Sequence, residues 1–384
     1  MLRFRIPVPR FLSAGEIFCG QGCIGVLRAL GAARTVVIWE PPLSQHDEYK
    51  RILVKAIGTL DLHFIEKKSG EPRLSTINEV LSQLVEFNPD WIIAVGGGSV
   101  IDCAKLAWAF YEHPDADLER VTRPNGLPSL RGKARLAAVP TTAGTGSEVS
   151  SAALFIDDAT GRKRYIVTND FLPDIAILDP VFAVSAPPIV TVISGLDALA
   201  HAVEGYVSRF TNPFADMHAE TAVRKIFTYL PKSATAPQDI EARLQMMQAA
   251  LLAGWVQNLK IPGIGHAVAH QLGRFNVPHG LACGILLPAA IRINGEVDKI
   301  QQKYANLATV LGLQSSKELA DACEELINAM GLELSVCKYI EGGKQTLLSN
   351  REIIIEGTKS DICARANPRP VDESLVSELI KGLY

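Results

Sequence analysis

Short apolar runs alternate with amphipathic stretches through the first half of the chain. TVVIW (35–39), LHFIE (62–66), WIIAV (91–95) and RLAAV (135–139) read as strands, and IAILDP (175–180) as the last strand of this part. Helical spacing lies between them, over 44–60, near 75–87 and after GGGS. Strand–helix alternation with uninterrupted apolar strands predicts a parallel sheet covered on both faces. After about Pro188 the strand runs stop. Segments rich in Ala, Leu, Glu and Lys follow at 194–209, 214–230, 239–257, 279–293, 298–312, 316–330 and 372–383. The pattern predicts an α/β N-terminal domain over residues 1–186 and an all-α domain over 187–384, with the boundary in the Ala-Pro-Pro stretch at 186–188. A cleft between two such domains is a usual place for a cofactor and substrate.

Length supports this division, since 384 residues exceed one ordinary core. A net charge of −3 gives no reason to expect a nucleic-acid or acidic-membrane partner. Of the seven cysteines only Cys19 and Cys23 are close, and they lack a companion pair for a zinc site. Reduced, mostly buried thiols and a cytoplasmic home are expected. The opening MLRFRIPVPRF has no apolar core of the kind a signal peptide needs. The uncharged run from Pro180 to Leu196 is short and broken by prolines, so no membrane span is expected.

Two glycine-rich stretches follow predicted strands. In WIIAVGGGSVIDCAK (91–105), three glycines let backbone N–H groups approach a pyrophosphate, and a helix start offers unpaired donors there. In VPTTAGTGSEVS (139–150), the hydroxyls of Thr141, Thr142 and Thr145 can donate to phosphate or ribose oxygens. Neither is GxGxxG after the first strand, and neither ends in GK[ST]. Either alone reads equally as a tight strand–helix turn; together, on successive strand ends, they point to a dinucleotide site. Glu40 directly follows TVVIW. It reads either as an acceptor for ribose hydroxyls, favouring NAD over NADP, or as a solvated acid before two prolines.

The histidines cluster. Asp197 and His201 are four apart, as are His266 and His270, and each pair shares a helical face. His279 follows Val277-Pro278 at the start of another predicted helix. One carboxylate plus imidazoles from separate elements suits a borderline divalent ion such as Fe²⁺ or Zn²⁺. Small neighbours (Ala198, Ala202, Gly265, Ala267) allow close helix approach. No thiol is expected to join. His46, His63, His113 and His218 lack such companions and read as structural.

With these motifs in order, the sequence resembles the iron-containing (group III) alcohol dehydrogenases over nearly its whole length. The resemblance rests on GGGSVIDCAK, PTTAGTGSEVS, Asp179-Pro180, GLDALAHAVE (195–204), HAVAHQLG…PHG and ARANPRP (364–370). It implies a dehydroquinate synthase-like architecture: a dinucleotide-binding domain, then a helical metal-binding domain. It makes Asp197, His201, His266 and His279 the metal ligands, and His270 a non-ligand proton relay near nicotinamide and substrate. It gives the pyrophosphate to Gly97, Gly98 and Ser99, the nicotinamide side to Thr141, Thr142 and Thr145, and the cofactor ribose to Lys163 in GRKRY. Glu40 stands where many members have aspartate, which keeps NAD the preferred cofactor. One departure is the nine-position step from His270 to His279, where the family pattern is usually ten. That loop carries Arg274, which faces either solvent or an anionic substrate group.

The implied activity is hydride transfer between NAD(P) and a small alcohol or aldehyde, with iron or zinc as Lewis acid and the chain as a homodimer. Alternatives are a reductase of a small anionic aldehyde (a semialdehyde or phosphonoacetaldehyde), a dehydroquinate synthase-like lyase using NAD transiently, and a non-enzymatic metal- or nucleotide-binding regulator.

Overall fold

The computed structural model describes residues 11–58, 61–123, 126–161 and 163–382. The MLRFRIPVPR opening and Arg162 of the GRKRY stretch lie outside them. The described chain divides into two compact units. One comprises Leu12–Pro187 and Pro237–Leu251; the other comprises Phe11, Pro188–Ala236 and residues 252–382.

The first unit is built on a six-stranded parallel sheet: β1 (Glu16–Cys19), β2 (Thr35–Trp39), β3 (Leu62–Glu66), β4 (Trp91–Gly96), β5 (Arg135–Pro140) and β8 (Ile175–Leu178), in the order β1-β8-β5-β4-β2-β3. Every residue of β2 and β4 is buried, because alternate side chains enter separate cores. Val36 and Ile38 join Ile92, Ala94 and Trp108 on one face; Val37 and Trp39 join Ile93, Val95 and Leu53 on the other. This is why these strands read as continuous apolar runs rather than as alternation. The helices α1 (Asp47–Ile57), α2 (Leu74–Phe87) and α3 (Gly98–Glu112) lie between successive strands.

β1 and an antiparallel hairpin, β6 (Ala152–Ile156) with β7 (Lys163–Val167), were not expected from the pattern. β1 is a four-residue edge strand with both ends exposed, so it carries almost no apolar signal. Two short helices, α4 (Leu118–Val121) and α5 (Pro180–Ala183), complete the described α-helices up to the Ala-Pro-Pro stretch.

Chain order marks one position in the sheet: β2 is flanked by β3 on one side and β4 on the other, so the chain reverses direction across the sheet there. Ligands of open α/β sheets bind beyond the carboxyl ends of strands at such a reversal. Glu40 follows β2 and the glycine run follows β4 at that end.

The second unit's described secondary structure is helical. It contains α6 (Pro188–Val207), α7 (Pro213–Thr235), part of α8 (Ile240–Lys260), α9 (Ile264–Leu272), α10 (His279–Asn294), α11 (Asp298–Ala308) and α12 (Ser316–Ala329). The shorter α13 (Gly343–Ser349), α14 (Arg351–Ser360), α15 (Ile362–Ala366) and α16 (Glu373–Lys381) follow. α6 starts at Pro188, six residues before the sequence pattern places it; proline is tolerated in a first helical turn, where its missing N–H would be unpaired anyway. Leu196, Ala198, Leu199, Ala202 and Val203 are all buried, as in a helix enclosed on every side. α6 packs on α7 and α10, and α10 on α9. The α6–α10 approach depends on Gly280: a Cβ there would stand 2.4 Å from the carbonyl oxygen of Ile193 and 3.0 Å from Cβ of Asp197. No described helix is long and apolar enough to cross a membrane.

Candidate metal and nucleotide sites

Three helices of the second unit bring an acid and three imidazoles to one point. Asp197 and His201 lie on α6, His266 on α9, and His279 opens α10. The Nε2 atoms of His201, His266 and His279 stand 3.9, 3.7 and 3.6 Å from Oδ1 of Asp197. These distances are too long for hydrogen bonds. They suit donors arranged around a shared ion, since ligands bound at about 2.1 Å in a tetrahedron stand roughly 3.4 Å apart. Oδ1 of Asp197 and Nε2 of His266 are buried with no hydrogen-bond partner. Buried polar atoms are rarely left so unless something else satisfies them. By donor chemistry, spacing and these two orphaned atoms, the residues fit a divalent metal. Burial works against charge on Asp197, but His201, His279 and His266 hold its carboxyl well below the usual carboxylate range.

Glu204 organises this group, and the sequence reading did not single it out. One carboxylate accepts from the backbone N–H of Gly265 at 2.7 Å and of His266 at 3.1 Å, and meets Nδ1 of His266 at 2.5 Å. With Nδ1 carrying the proton toward Glu204, the lone pair of Nε2 faces Asp197. Asp197, His201 and Glu204 fall at i, i+4 and i+7 on α6, and that spacing was the available signal. Asn367, from the ARANPRP stretch, accepts from the N–H of Ile264 at 3.1 Å and exchanges side-chain hydrogen bonds with Asn294. It anchors the start of α9.

His270 is paired with a different acid. Its Nδ1 lies 2.8 Å from Oδ2 of Asp361, and its ring stacks on His279 with centroids 5.2 Å apart. Burial favours the neutral form of Asp361, but the hydrogen bond and charge of His270, together with hydrogen bonding from Cys363, outweigh it and lower its pKa. A thiol does join the cluster, contrary to the sequence expectation. Cys283 is four residues after His279, so α10 puts both on one face, with Sγ 3.6 Å from Nε2 of His279. Ligand atoms of Asp197, His266, His279 and Cys283 all lie within 4.8 Å of one another. Burial keeps this thiol protonated, pushing its pKa up to about 12.

The shortened loop still delivers His279. α9 ends at Leu272, a single turn spans Gly273–Phe275, and Asn276 adopts a left-handed conformation (φ 59°) that turns the chain into Val277-Pro278. Arg274 is exposed and donates back to its own turn, to the carbonyl of Gln271 at 3.1 Å. The remaining histidines have separate surroundings: His63 stacks on Phe87, His113 contacts the carbonyl of Ser129, His218 lies against Trp255 and His46 against Tyr49.

In the first unit the two glycine-rich turns meet. A Cβ on Gly97 would stand 3.2 Å from Oγ1 of Thr142, and one on Gly98 2.6 Å from Oγ1 of Thr145. Gly97 caps α3, and no side chain caps that helix start. A bare helix N-terminus beside threonine hydroxyls fits an anionic phosphate. Below it, Asp102 accepts from the hydroxyl of Ser147 and from the N–H of Leu154 at 3.0 Å. The buried Lys105 donates to the carbonyls of Ser147, Ser150 and Ala152. This pair ties Ser147–Ala152 to α3; burial lowers the lysine pKa to about 8. Thr141 is buried directly after β5, at the start of the same turn. Glu40 is no free surface acid: it pairs with Lys67 at 2.9 Å and accepts from Ser99 Oγ at 3.3 Å. Lys67 escaped the sequence reading, because a lysine after a strand reads as solvated. Lys163, on β7, pairs with Glu71 at 2.7 Å.

Comparison with known proteins follows the same division. A profile described as iron-containing alcohol dehydrogenase matches residues 14–180, and one described as the Fe-containing alcohol dehydrogenase family, C-terminal, matches residues 191–384. The chain is 32% identical to the NADPH-dependent butanol dehydrogenase of Clostridium saccharobutylicum, covering 100% of this chain and 98% of the relative. It is 31% identical to the 1-propanol dehydrogenase PduQ of Citrobacter freundii, over 96% and 98% of the two chains. The solved iron-containing alcohol dehydrogenase of Thermococcus thioreducens superposes with a TM-score of 0.90 at 31% identity, over 97% of this chain and 99% of that one.

Proposed function

The chain belongs to the iron-containing alcohol dehydrogenase family, and from that premise we propose which residues carry its chemistry and on what it acts. It is a metal-dependent, NAD(P)-linked oxidoreductase that interconverts a small alcohol and its carbonyl counterpart by hydride transfer. The observation that carries the site assignment is the meeting of three imidazole Nε2 atoms around Oδ1 of Asp197.

Asp197, His201, His266 and His279 hold one divalent iron, and zinc suits the same donors. When bound, the metal supplies Lewis acidity at the substrate oxygen, and the nicotinamide supplies or accepts the hydride. Glu204 holds the proton of His266 at Nδ1, so that Nε2 keeps its lone pair for the metal. His270, oriented by Asp361 at Nδ1, exchanges the proton of the substrate hydroxyl with solvent through Nε2. Gly97, Gly98 and Ser99 hold the pyrophosphate, and Thr141, Thr142 and Thr145 line the nicotinamide side. Glu40 accepts from the adenosine ribose, which suits NAD(H). Lys163 reaches a cofactor ribose in exchange for its pairing with Glu71.

The substrates are short primary alcohols and their aldehydes. The names of the butanol and 1-propanol dehydrogenases support this class. Arg274, engaged with its own turn, gives no support for an anionic substrate. The enzyme is expected to work in the cytoplasm as a homodimer.

Replacing His266 with Ala tests the assignment. The expected result is joint loss of bound metal and of alcohol-dependent NAD⁺ reduction, with the fold retained by circular dichroism. A metal-free His266→Ala protein with full activity refutes it.

A further inference from the structure

Lys67 is an unusual charge to find inside an α/β unit. Its side chain is completely buried, while that of Glu40 beside it is 20% exposed. It follows β3 directly, as Glu40 follows β2 and the Ser99 turn follows β4, so three adjacent strand ends supply one cluster. The ammonium donates to Oε2 of Glu40 at 2.9 Å, to the carbonyl of Lys68 at 2.9 Å and to that of Gly70 at 2.7 Å. Oγ of Ser99 lies 3.4 Å away and itself donates to Oε1 of Glu40 at 3.3 Å. The three ammonium protons therefore have partners, and the geometry is held from both neighbouring turns.

This pairing changes what Glu40 does. An acid at the end of this strand accepts from ribose hydroxyls, and its charge repels a 2′-phosphate. Here a full positive charge lies 2.9 Å from one oxygen of that acid. Seen from outside, the pair is close to neutral, so the repulsion falls steeply with distance. The remaining lone pairs of Glu40 still accept from a ribose diol. Lys67 has no exposed side-chain surface and does not itself reach a phosphate.

Building on the dinucleotide reading above, we propose that Lys67 is a specificity-determining residue. By neutralising Glu40 it lets the site bind a dinucleotide bearing a 2′-phosphate as well as one with a free 2′-hydroxyl. Lys67 acts through Glu40, without touching the cofactor.

The test is binding, measured on the metal-loaded full chain. Dissociation constants for NADH and NADPH come from nicotinamide fluorescence, and those for 5′-AMP and 2′,5′-ADP from calorimetry. The wild type is expected to bind NADH and NADPH within about tenfold of each other. Lys67→Met is expected to weaken NADPH and 2′,5′-ADP by about tenfold or more while changing NADH and 5′-AMP by less than about threefold. Glu40→Gln leaves the lysine uncompensated and is expected to tighten 2′,5′-ADP; this variant carries the test if Lys67→Met does not fold. Wild-type exclusion of NADPH by more than about a hundredfold overturns the proposal, as do equal losses for both cofactors in Lys67→Met or weaker 2′,5′-ADP binding in Glu40→Gln. Failure of the wild type to bind either cofactor overturns the dinucleotide reading itself.

Discussion

Glu204 and His266, 62 residues apart, meet at 2.5 Å, and the same carboxylate accepts from the backbone N–H of His266. One acid thus fixes the backbone, the ring orientation and the tautomer of a single proposed ligand. Partners of this kind typically change metal affinity by about 10–100-fold when removed. Glu204→Gln is expected to lose metal in that range while remaining folded, as measured by competition with a chromogenic chelator. Unchanged affinity would reduce Glu204 to a helix-packing residue.

The contact between His270 and Asp361 predicts a different phenotype. Asp361→Ala leaves the proposed ligands intact but frees the His270 ring. Metal content should stay at the wild-type value, and kcat should fall by about tenfold or more with KM little changed. Loss of metal together with activity would show that Asp361 serves the metal cluster instead.

Gly98→Ala tests the nucleotide turn. Its Cβ would stand 2.6 Å from Oγ1 and 2.7 Å from Cγ2 of Thr145, so the two turns must separate. Overpacking of this kind costs about 1–3 kcal/mol. Nucleotide affinity should drop at least roughly tenfold, while the metal content of the helical unit stays constant. Calorimetric titration with NADH checks both the size and the site of the effect.

Glu148, buried behind the same turn, predicts a pH dependence of stability. Burial raises its pKa from 4.5 to about 7, against a lowering by its own backbone and Lys105. The folded state therefore holds the proton more tightly than the unfolded state. Its stabilising contribution is complete below about pH 4.5 and is lost as the pH rises through about 7. The span corresponds to about 3 kcal/mol. Denaturant unfolding of wild type and Glu148→Gln should diverge across that window, with the wild type falling relative to the variant; parallel curves would contradict the shift.

The sequence made some of this legible and hid the rest for identifiable reasons. β2, β4, β5 and β8 announced themselves because both sheet faces are covered, making their apolar runs continuous, and the half-buried edge strand β3 still carries three apolar residues in five. β1 did not, being four residues at a sheet edge, and the β6–β7 hairpin is half-exposed. The helices between Gly343 and Ala366 are five to ten residues long, which leaves little periodicity to detect. In the helical unit, i,i+4 spacing brought out Asp197, His201, His266 and His270. Glu204 was within reach of the same spacing, at i+7 from Asp197, whereas Asp361 and Asn367 owe their roles to partners 91 and 103 positions away, a relation that local spacing cannot carry. Cys283 was accessible in principle, since it stands one turn beyond His279 on a helix whose start was correctly read. Lys67 was not, because its burial is decided by neighbouring strand ends.

The most direct test is anaerobic reconstitution of the metal-free full chain with Fe²⁺ and, separately, Zn²⁺. NADH absorbance would be followed with a panel of short alcohols, their aldehydes and anionic aldehydes. The account predicts turnover that requires the metal, is greatest with a neutral short primary alcohol or aldehyde, and disappears in His266→Ala. One tightly bound metal and bound NAD⁺ without turnover of any panel member would contradict it.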